Sequence, residues 1–416
     1  MPALANGAWP TQPLGKIVDL FDHLRVPLNS RERRERQGIY PYYGAQGIID
    51  HIDAYRFDGR YILVAEDGEN LNSKKLPLAL FATGKFWVNN HAHVLRGKTG
   101  IADDTFLLAC LNNTDIKPFI TGAAQPKLSQ SNLRQIEVPL PPLPVQHRIA
   151  GIASAYDELI ENCQRRIRIL EEMARTLYRE WFMQFLFPGY EKLPRVDSPL
   201  GPIPKGWKIK KLGEIAQTFR GRSYRSVDLA DEGGLPFLNL KCLARDGGFR
   251  RSGLKRYTGE YKDSHVAKKG DIVMGVTDMT QERRIVARAA LVPTLDNEFG
   301  ISSMDLVRIE PKPPMRKSFL YSFLRYSSFA DEVKQHANGA NVLHLAPERI
   351  TDFRFAVPPT DLMRRFADFV APTLDQVDTL ENKIENLRRT RDLALPRLLS
   401  GQTELSVSEK ASNSSR

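Results

Sequence analysis

Between residues 145 and 187, apolar side chains recur at alternating spacings of four and three: Tyr156, Ile160, Cys163, Ile167, Leu170, Ala174, Leu177 and Trp181. Polar residues fill the gaps, which is the heptad seam of a helix that buries one narrow stripe against another helix. Pro144 fits a first turn, where its missing N–H costs little, and Pro188-Gly189 marks an end. At 1.5 Å per residue such a helix would run about 65 Å. That is too long and too narrow-seamed to bury itself. Residues 361–400 repeat the pattern 217 positions later. Ile160 answers to Val377, Cys163 to Leu380, Ile167 to Ile384, Leu170 to Leu387, Leu177 to Ala394 and Trp181 to Leu398. These residues form the expected helix–helix seam. Pro372 inside the second stripe predicts a kink, with a longer piece starting at Thr373.

The approach to each helix repeats too. Thr121-Gly122-Ala123 and Val138-Pro139-Leu140-Pro141-Pro142 correspond to Asn338-Gly339-Ala340 and Ala356-Val357-Pro358-Pro359. Further upstream, Trp9, Leu14, Gly15 and Ile17 match Trp207, Leu212, Gly213 and Ile215 at an offset of 198, so the second block is 19 residues longer. A repeat on this scale decides the architecture. It gives a globular block at 1–143, a long helix at 144–187, a second block at 188–357, a second long helix at 358–402 and a disordered polar tail at 403–416.

Within the first block, 39–52, 60–65, 76–83 and 86–88 read as strands, broken at Gly44, Gly47, Asp58-Gly59 and Asp67-Gly68, and 105–111 reads as a short helix. In the second, 201–207 is a linker into a first strand, 236–240, 271–276 and 285–292 read as strands, and 317–327 as a helix. Strands and helices do not alternate regularly, which points to α+β blocks rather than a doubly wound sheet.

Charge narrows the function. The chain of 416 residues carries 60 Lys and Arg against 49 Asp and Glu, a net charge of +11, as suits a polyanion partner. Cys110, Cys163 and Cys242 have no paired spacing and read as small buried hydrophobes in a reducing compartment. No apolar run reaches the roughly 18 residues of a membrane span, and the N-terminus lacks the layout of a signal peptide. A cytoplasmic protein is expected.

Catalytic motifs are missing: no phosphate loop, no dinucleotide fingerprint, no paired-histidine zinc motif, and no Asn/Asp-Pro-Pro-aromatic stretch of the amino-group methyltransferases. His91 and His93 have a spacing that would share one strand face, but no acid or cysteine nearby completes a metal set. Hydrogen-bonded histidines are expected instead. Glu66-Asp67 and Asp278 stand as isolated acids beside turns. Basic residues with interleaved aromatics are plentiful: Arg31, Arg33, Arg34 and Arg36 before Tyr42 and Tyr43, then Lys74 and Lys75. The second block has Arg220, Arg222 and Arg225, then Lys241, Arg250, Arg251, Arg283 and Arg284. Arginine suits guanine edges and lysine suits phosphate. Each residue taken singly reads rather as solvated surface, and Glu32 and Glu35 offset the first cluster. The set, spread over two equivalent blocks, reads as a DNA-binding surface. The apolar run 181–187 either packs under the second block or docks a separate subunit.

These residues resemble the specificity subunit of type I restriction–modification systems over nearly the whole chain. FDGRYILVAEDGENL with TGKFWVNNHAHVL resembles a first target recognition domain. LPFLNLKCLARDGGFR, RYTGEY and KGDIVMGVTDMTQERRIVARAALVP resemble a second. The Pro-Leu-Pro-Pro-Leu-Pro-x-Gln entry and the long helices resemble the family's conserved regions. The resemblance implies two α+β target recognition domains separated by an antiparallel coiled coil, a pseudo-two-fold repeat. Each domain would read one half of a split, asymmetric double-stranded DNA site, and the helices would set the unread gap. It also implies a chain without catalysis or cofactor of its own. Two modification subunits using S-adenosylmethionine, and restriction subunits using ATP and Mg, would dock on it. Pro372 and the unequal blocks depart from the simplest family pattern and leave the gap length open. The rival readings are a self-sufficient nuclease or methyltransferase and a coiled-coil adaptor that binds only protein.

Overall fold

The computed structural model describes residues 9–122 and 125–403. Ala123 of the repeated lead-in and nearly all of the tail at 403–416 lie outside the described residues. The chain divides into two compact units, one running to Asn162 and resuming at Glu385, the other Cys163–Ile384.

In the first unit a six-stranded sheet runs in the order Val18–Leu20, Ala92–Gly97, Phe57–Ala65, Ala79–Val88, Gln37–Gly44, Gly47–Ile52. Its pairs are antiparallel except for Gln37–Gly44 with Ala79–Val88. The helix Asp104–Asn113 starts at Asp103, whose carboxylate accepts from Thr105 N and Phe106 N and so satisfies two amides that open every helix. Its Phe106, Leu107, Cys110 and Leu111 enter the core, where Ile149, Ala150 and Ala153 of the first long helix meet Leu395, Leu398 and Leu399 of the second. Gln146, from the proline-rich entry motif, is 1% exposed; its amide donates to the Ile101 and Pro141 carbonyls and its oxygen accepts from Asp103 N. A buried amide with three partners fixes the helix to the block. Trp9 Nε1 donates to the Leu398 carbonyl and Arg391 pairs with Asp157 at 2.6 Å.

The second unit holds a four-stranded sheet, Ala216–Arg220, Leu306–Pro311, Ile272–Gly275, Ala289–Leu291. A five-stranded sheet beside it runs Leu229–Ala230, Lys255–Tyr257, Leu235–Leu238, Phe299–Ser302, Val266–Lys268. The core joins Phe319, Leu320 and Phe323 of the helix Lys317–Tyr326 to Tyr178 and Phe182 from the first long segment and Phe366 and Val370 from the second. Tyr178 meets Phe366, whereas the earlier Glu171 shares a pocket with the later Glu381. The two helices are therefore antiparallel here, as they are where Asp157 meets Arg391.

The repeat holds at single-residue register. Thr11–Pro13 pairs with Glu137–Pro139, Gln12 opposite Val138; Lys208–Lys211 pairs with Arg354–Val357, Lys210 opposite Phe355. The offsets are 198 and 217, as in the sequence. Leu14 N donates to the Ile136 carbonyl and Leu212 N to the Phe353 carbonyl. Thr121 bridges Lys127 as Asn338 bridges His344.

Several sequence expectations need correcting. The first long helix ends earlier than 187: Leu143–Tyr178 is α-helical, Arg179–Met183 forms one wider π-turn, and Phe185 has φ 63°. That unwinding turns Phe182 and Phe187 into the second unit's core, with Trp181 and Phe185 packed against it, while Met183 and Leu186 stay exposed. The second helix does not restart at Pro372 but runs unbroken over Thr360–Ser400. Pro372 is exposed, and buried Phe366 and Val370 anchor the helix on its opposite side. Asp58-Gly59 does not break a strand; Gly59 takes φ 120° inside Phe57–Ala65. The two short strands at 76–83 and 86–88 are one, Ala79–Val88, and 285–292 shrinks to Ala289–Leu291. None of the twelve seam residues is exposed; Ile160, Cys163, Leu380, Ile384 and Leu398 are buried and the others half-buried.

Candidate nucleic-acid interface

In the second unit the chain leaves the strand Ala216–Arg220 with Arg220 exposed, then passes over the Ser302–Ser303 backbone. A Cβ on Gly221 would lie 2.1 Å from the Ser303 carbonyl oxygen, so only glycine permits the crossing. Arg222 N donates to the Ser302 carbonyl and Met304 N to that of Arg222. This anchored backbone sets Arg222, Tyr224 and Arg225 along a concavity of about 690 Å³ closed by Thr258, Gly259 and Glu260. Tyr224 is held edge-on against Phe237 at 4.7 Å. Arg225 is 83% exposed and only loosely paired with Asp228 at 3.9 Å. Arg222 Nε is buried without a hydrogen-bond partner among the described residues. Nearby, His265 is pushed below its ordinary value by burial and then by the charges of Arg222 and Lys262. Burial is the larger cause, and the two cations add to it. Asp228 and Glu260 line the same concavity.

Lys241 and Arg250 are exposed and brought together when Arg250 N donates to the Cys242 carbonyl. Arg284 is exposed beside Glu282, and Arg283, at φ 53°, donates to Gln335. Arg251 is not a free cation. It is 17% exposed and its guanidinium is bonded to Asp378 and to the Thr294 carbonyl, so it belongs to the domain's packing on the second helix.

In the first unit Asn29 caps the helix Ser30–Glu35, accepting from Arg31 N and Glu32 N, and Glu32 returns to Asn29 N. Arg31 and Arg34 project into solvent, Arg31 paired with Glu35. Arg33 turns inward, 20% exposed, to Asp50 at 3.0 Å and the Leu28 carbonyl. Arg36 pairs with Asp53 and covers one side of Trp87, which Arg56 also contacts. Tyr42 and Tyr43 are core residues, not surface readers: Tyr42 packs with Ile52 and Trp87, its hydroxyl accepting from Leu28 N, and Tyr43 packs with Phe86. The strand is covered on both faces at this point, so neither ring reaches solvent. Lys74, paired with Asp115, and exposed Lys75 line a cleft of about 750 Å³ with Asn112, Asp157 and Arg391.

The structure adds residues that the sequence reading passed over. Tyr40 and Tyr55 have ring centroids 5.1 Å apart, Lys85 lies over Tyr55, and Ile39 is 79% exposed. Paired aromatics with a cation above one of them have the chemistry on which bases or sugars can stack. Simple alternation would put Tyr40 and Tyr42 on one face, and register shifts between Gln37 and Tyr40 and between Tyr42 and Tyr43 make the strand irregular here.

The other chemical candidates resolve into structure. His93 is 1% exposed, with Nδ1 2.6 Å from Asp22 and Nε2 2.8 Å from the Leu128 carbonyl, and His91 meets Asp67 at 2.7 Å. Burial alone would raise Asp278, but bonds from Ile285 N, Thr280 N and the Thr280 hydroxyl hold it below the usual range, which makes it a loop clamp. Among the described residues no group of three or more His, Cys, Asp or Glu is placed to hold a metal. All three cysteines are buried, and burial pushes Cys242 up to about 11. Among the described residues no helix is long and apolar enough to cross a membrane.

Comparison with known proteins gives a consistent answer. The family described as the type I restriction modification DNA specificity domain matches residues 8–172 and again 204–389. A Haemophilus influenzae protein assigned as a type I restriction enzyme specificity subunit is 26% identical over 90% of this chain and 88% of its own length. A type I restriction enzyme specificity subunit of Methanocaldococcus jannaschii is 22% identical over 88% of this chain and 87% of its own. The crystal structure of the S subunit of a type I restriction-modification system from M. genitalium superposes with a TM-score of 0.65 at 16% identity, covering 96% of this chain and 98% of that one. At that identity the likeness speaks for the fold.

Proposed function

The chain belongs to the type I restriction modification DNA specificity family, and from that premise we propose that it reads a split, asymmetric DNA site, one half per block. The supporting observation is the contrast between scaffold and surface. The two blocks pair Thr11–Pro13 with Glu137–Pro139 and Lys208–Lys211 with Arg354–Val357 in one register, yet carry different chemistry at their surfaces. One carries Arg31, Arg34, Arg36, Arg56, Lys85, Tyr40 and Tyr55; the other carries Arg220, Arg222, Arg225, Lys241, Arg250 and Arg284. Two scaffolds of one design with unlike reading surfaces suit two different half-sites. Arginines at the concave wall would contact guanine edges, and the more exposed cations would follow phosphates.

In this reading the chain performs no chemistry. It supplies sequence selection and a platform for cytoplasmic partner subunits, two for modification and further ones for restriction. S-adenosylmethionine, ATP and Mg would be held by those partners. The deciding experiment is methylation mapping of genomic DNA from cells with and without this chain, the cognate modification subunit being present in both. Methyladenine at one gapped, asymmetric motif, present only with this chain, is the expected result. No motif-specific change with the chain expressed and assembled would overturn the reading and favour the adaptor or lone-enzyme alternatives.

A further inference from the structure

Asp378 of the second long helix gathers three separate segments of the second block. Its carboxylate, 13% exposed, accepts from Arg251 Nη2 at 2.7 Å, Lys269 Nζ at 3.0 Å, Thr294 N at 3.0 Å and the Thr294 hydroxyl at 2.6 Å. Burial alone would raise this acid, and the bonds from Thr294 and Lys269 bring it below its ordinary value, so it is held ionised. Charge-assisted bonds of this kind are strong and directional. At the matching place in the repeat, 217 positions earlier, stands Glu161, which is exposed and makes no ion pair among the described residues. The brace is therefore a property of one block.

Its position matters. The block is joined to the helix where Arg354–Val357 leads into Thr360, and Leu362, Phe366 and Val370 carry the apolar contact over the first turns. Asp378 lies 18 residues beyond Thr360, about 27 Å along the axis. A tie that far from the pivot resists rocking of the block along the helix, where contacts near the pivot have little leverage. Rocking by roughly 10° about a point roughly 20 Å away would shift a DNA-facing loop by about 3.5 Å, close to the 3.4 Å step between base pairs.

We propose that Asp378, with Arg251, Lys269 and Thr294 as its partners, is a specificity-determining positioning residue that fixes the number of unread base pairs between the two half-sites. The inference rests on the split-site reading above. It assigns to the helix brace the rejection of sites with the right half-sites at the wrong separation. No base identity is read by these residues.

The test uses this chain assembled with its modification subunits and duplexes carrying the mapped site with its native gap, one base pair fewer, and one more. The wild-type complex is expected to prefer the native gap, and Asp378→Ala to lose about tenfold of that preference while keeping the same half-site bases. Thr294→Val and Lys269→Ala are expected to lose part of it, and Glu161→Ala none. If Asp378→Ala does not assemble, Thr294→Val and Lys269→Ala decide. Equal weakening at all three gaps would mark the brace as merely structural and overturn the inference, as would unchanged discrimination. A wild-type complex without any gapped preference would instead overturn the split-site reading, and this inference with it.

Discussion

Gly15 lies directly beneath Arg134: a Cβ built on Gly15 would stand 2.8 Å from the Cβ of Arg134. The short helix Leu14–Ile17 and the helix Gln130–Gln135 thus touch through bare backbone. The same contact recurs at Gly213, where a Cβ would stand 3.1 Å from that of Thr351. Gly15→Ala must push two helices apart and is expected to cost about 1–3 kcal/mol of stability. Gly213→Ala needs only a small shift, partly offset by alanine's better helix propensity of up to about 1 kcal/mol. Thermal unfolding of the two variants should rank Gly15→Ala clearly below Gly213→Ala. The reverse order would overturn the reading that the closer approach at Gly15 is the less tolerant one.

Tyr42 offers a clean separation of folding from reading. Its hydroxyl accepts from Leu28 N at 2.8 Å inside the core. Tyr42→Phe is expected to cost about 1 kcal/mol, because it strips a partner from a half-buried amide. DNA affinity of the assembled complex should not change. A large loss of affinity at unchanged stability would return Tyr42 to the reading surface.

Tyr42 also shows what the sequence could and could not disclose. The repeat, the long helices and their seam were legible because periodicity at 3.5 and a fixed offset survive in any one sequence. Some strand centres were found, but Ala92–Gly97, Ala216–Arg220, Phe299–Ser302 and Leu306–Pro311 were missed, and Phe57–Ala65 and Ala79–Val88 run on where breaks were expected. Basic clusters near aromatics named candidate regions. They did not tell Arg225, which projects, from Arg251, which is tied to Asp378 from a segment 127 residues away. Ion pairing over that distance leaves no local pattern. The adjacent Tyr55-Arg56 and the lone Lys85 were passed over because they lie far apart in the sequence, and only the fold brings Lys85 over Tyr55 and Arg56 against Trp87.

Acid should loosen the first unit. Burial pushes Asp22 up, but His93, Val94 N and Gln130 outweigh it, and the carboxyl sits below its ordinary value. An acid whose folded value is depressed binds its proton more weakly in the folded state, so its contribution is present above the unfolded value of about 3.9. That contribution fades as pH falls through the lower folded value. Asp22→Asn is expected to cost about 1–3 kcal/mol at neutral pH and to flatten the fall in stability below about pH 4. Chemical denaturation of both forms between pH 7 and pH 3 checks this. An equal slope in both would assign acid sensitivity to other carboxylates.

Arg222 and Arg225 share one concave wall but differ in restraint, and so should fail differently. Arg222 is fixed by backbone bonds on both sides, from its own N to Ser302 and from Met304 N to its carbonyl. A half-buried side chain rising from so fixed a backbone suits a base edge, whereas Arg225, 83% exposed and loosely paired, suits a phosphate. Arg222→Ala is expected to weaken binding of the cognate site by about 1–3 kcal/mol and to relax one base position. Arg225→Ala is expected to weaken cognate and unrelated DNA alike and to lower the salt dependence of binding by about one ion. Titrations of the assembled complex on cognate, single-substituted and unrelated duplexes at several salt concentrations separate the two. If Arg222→Ala lowers all duplexes equally, it is a backbone contact, and half-site reading in this block must rest on Lys241, Arg250 or Arg284 instead.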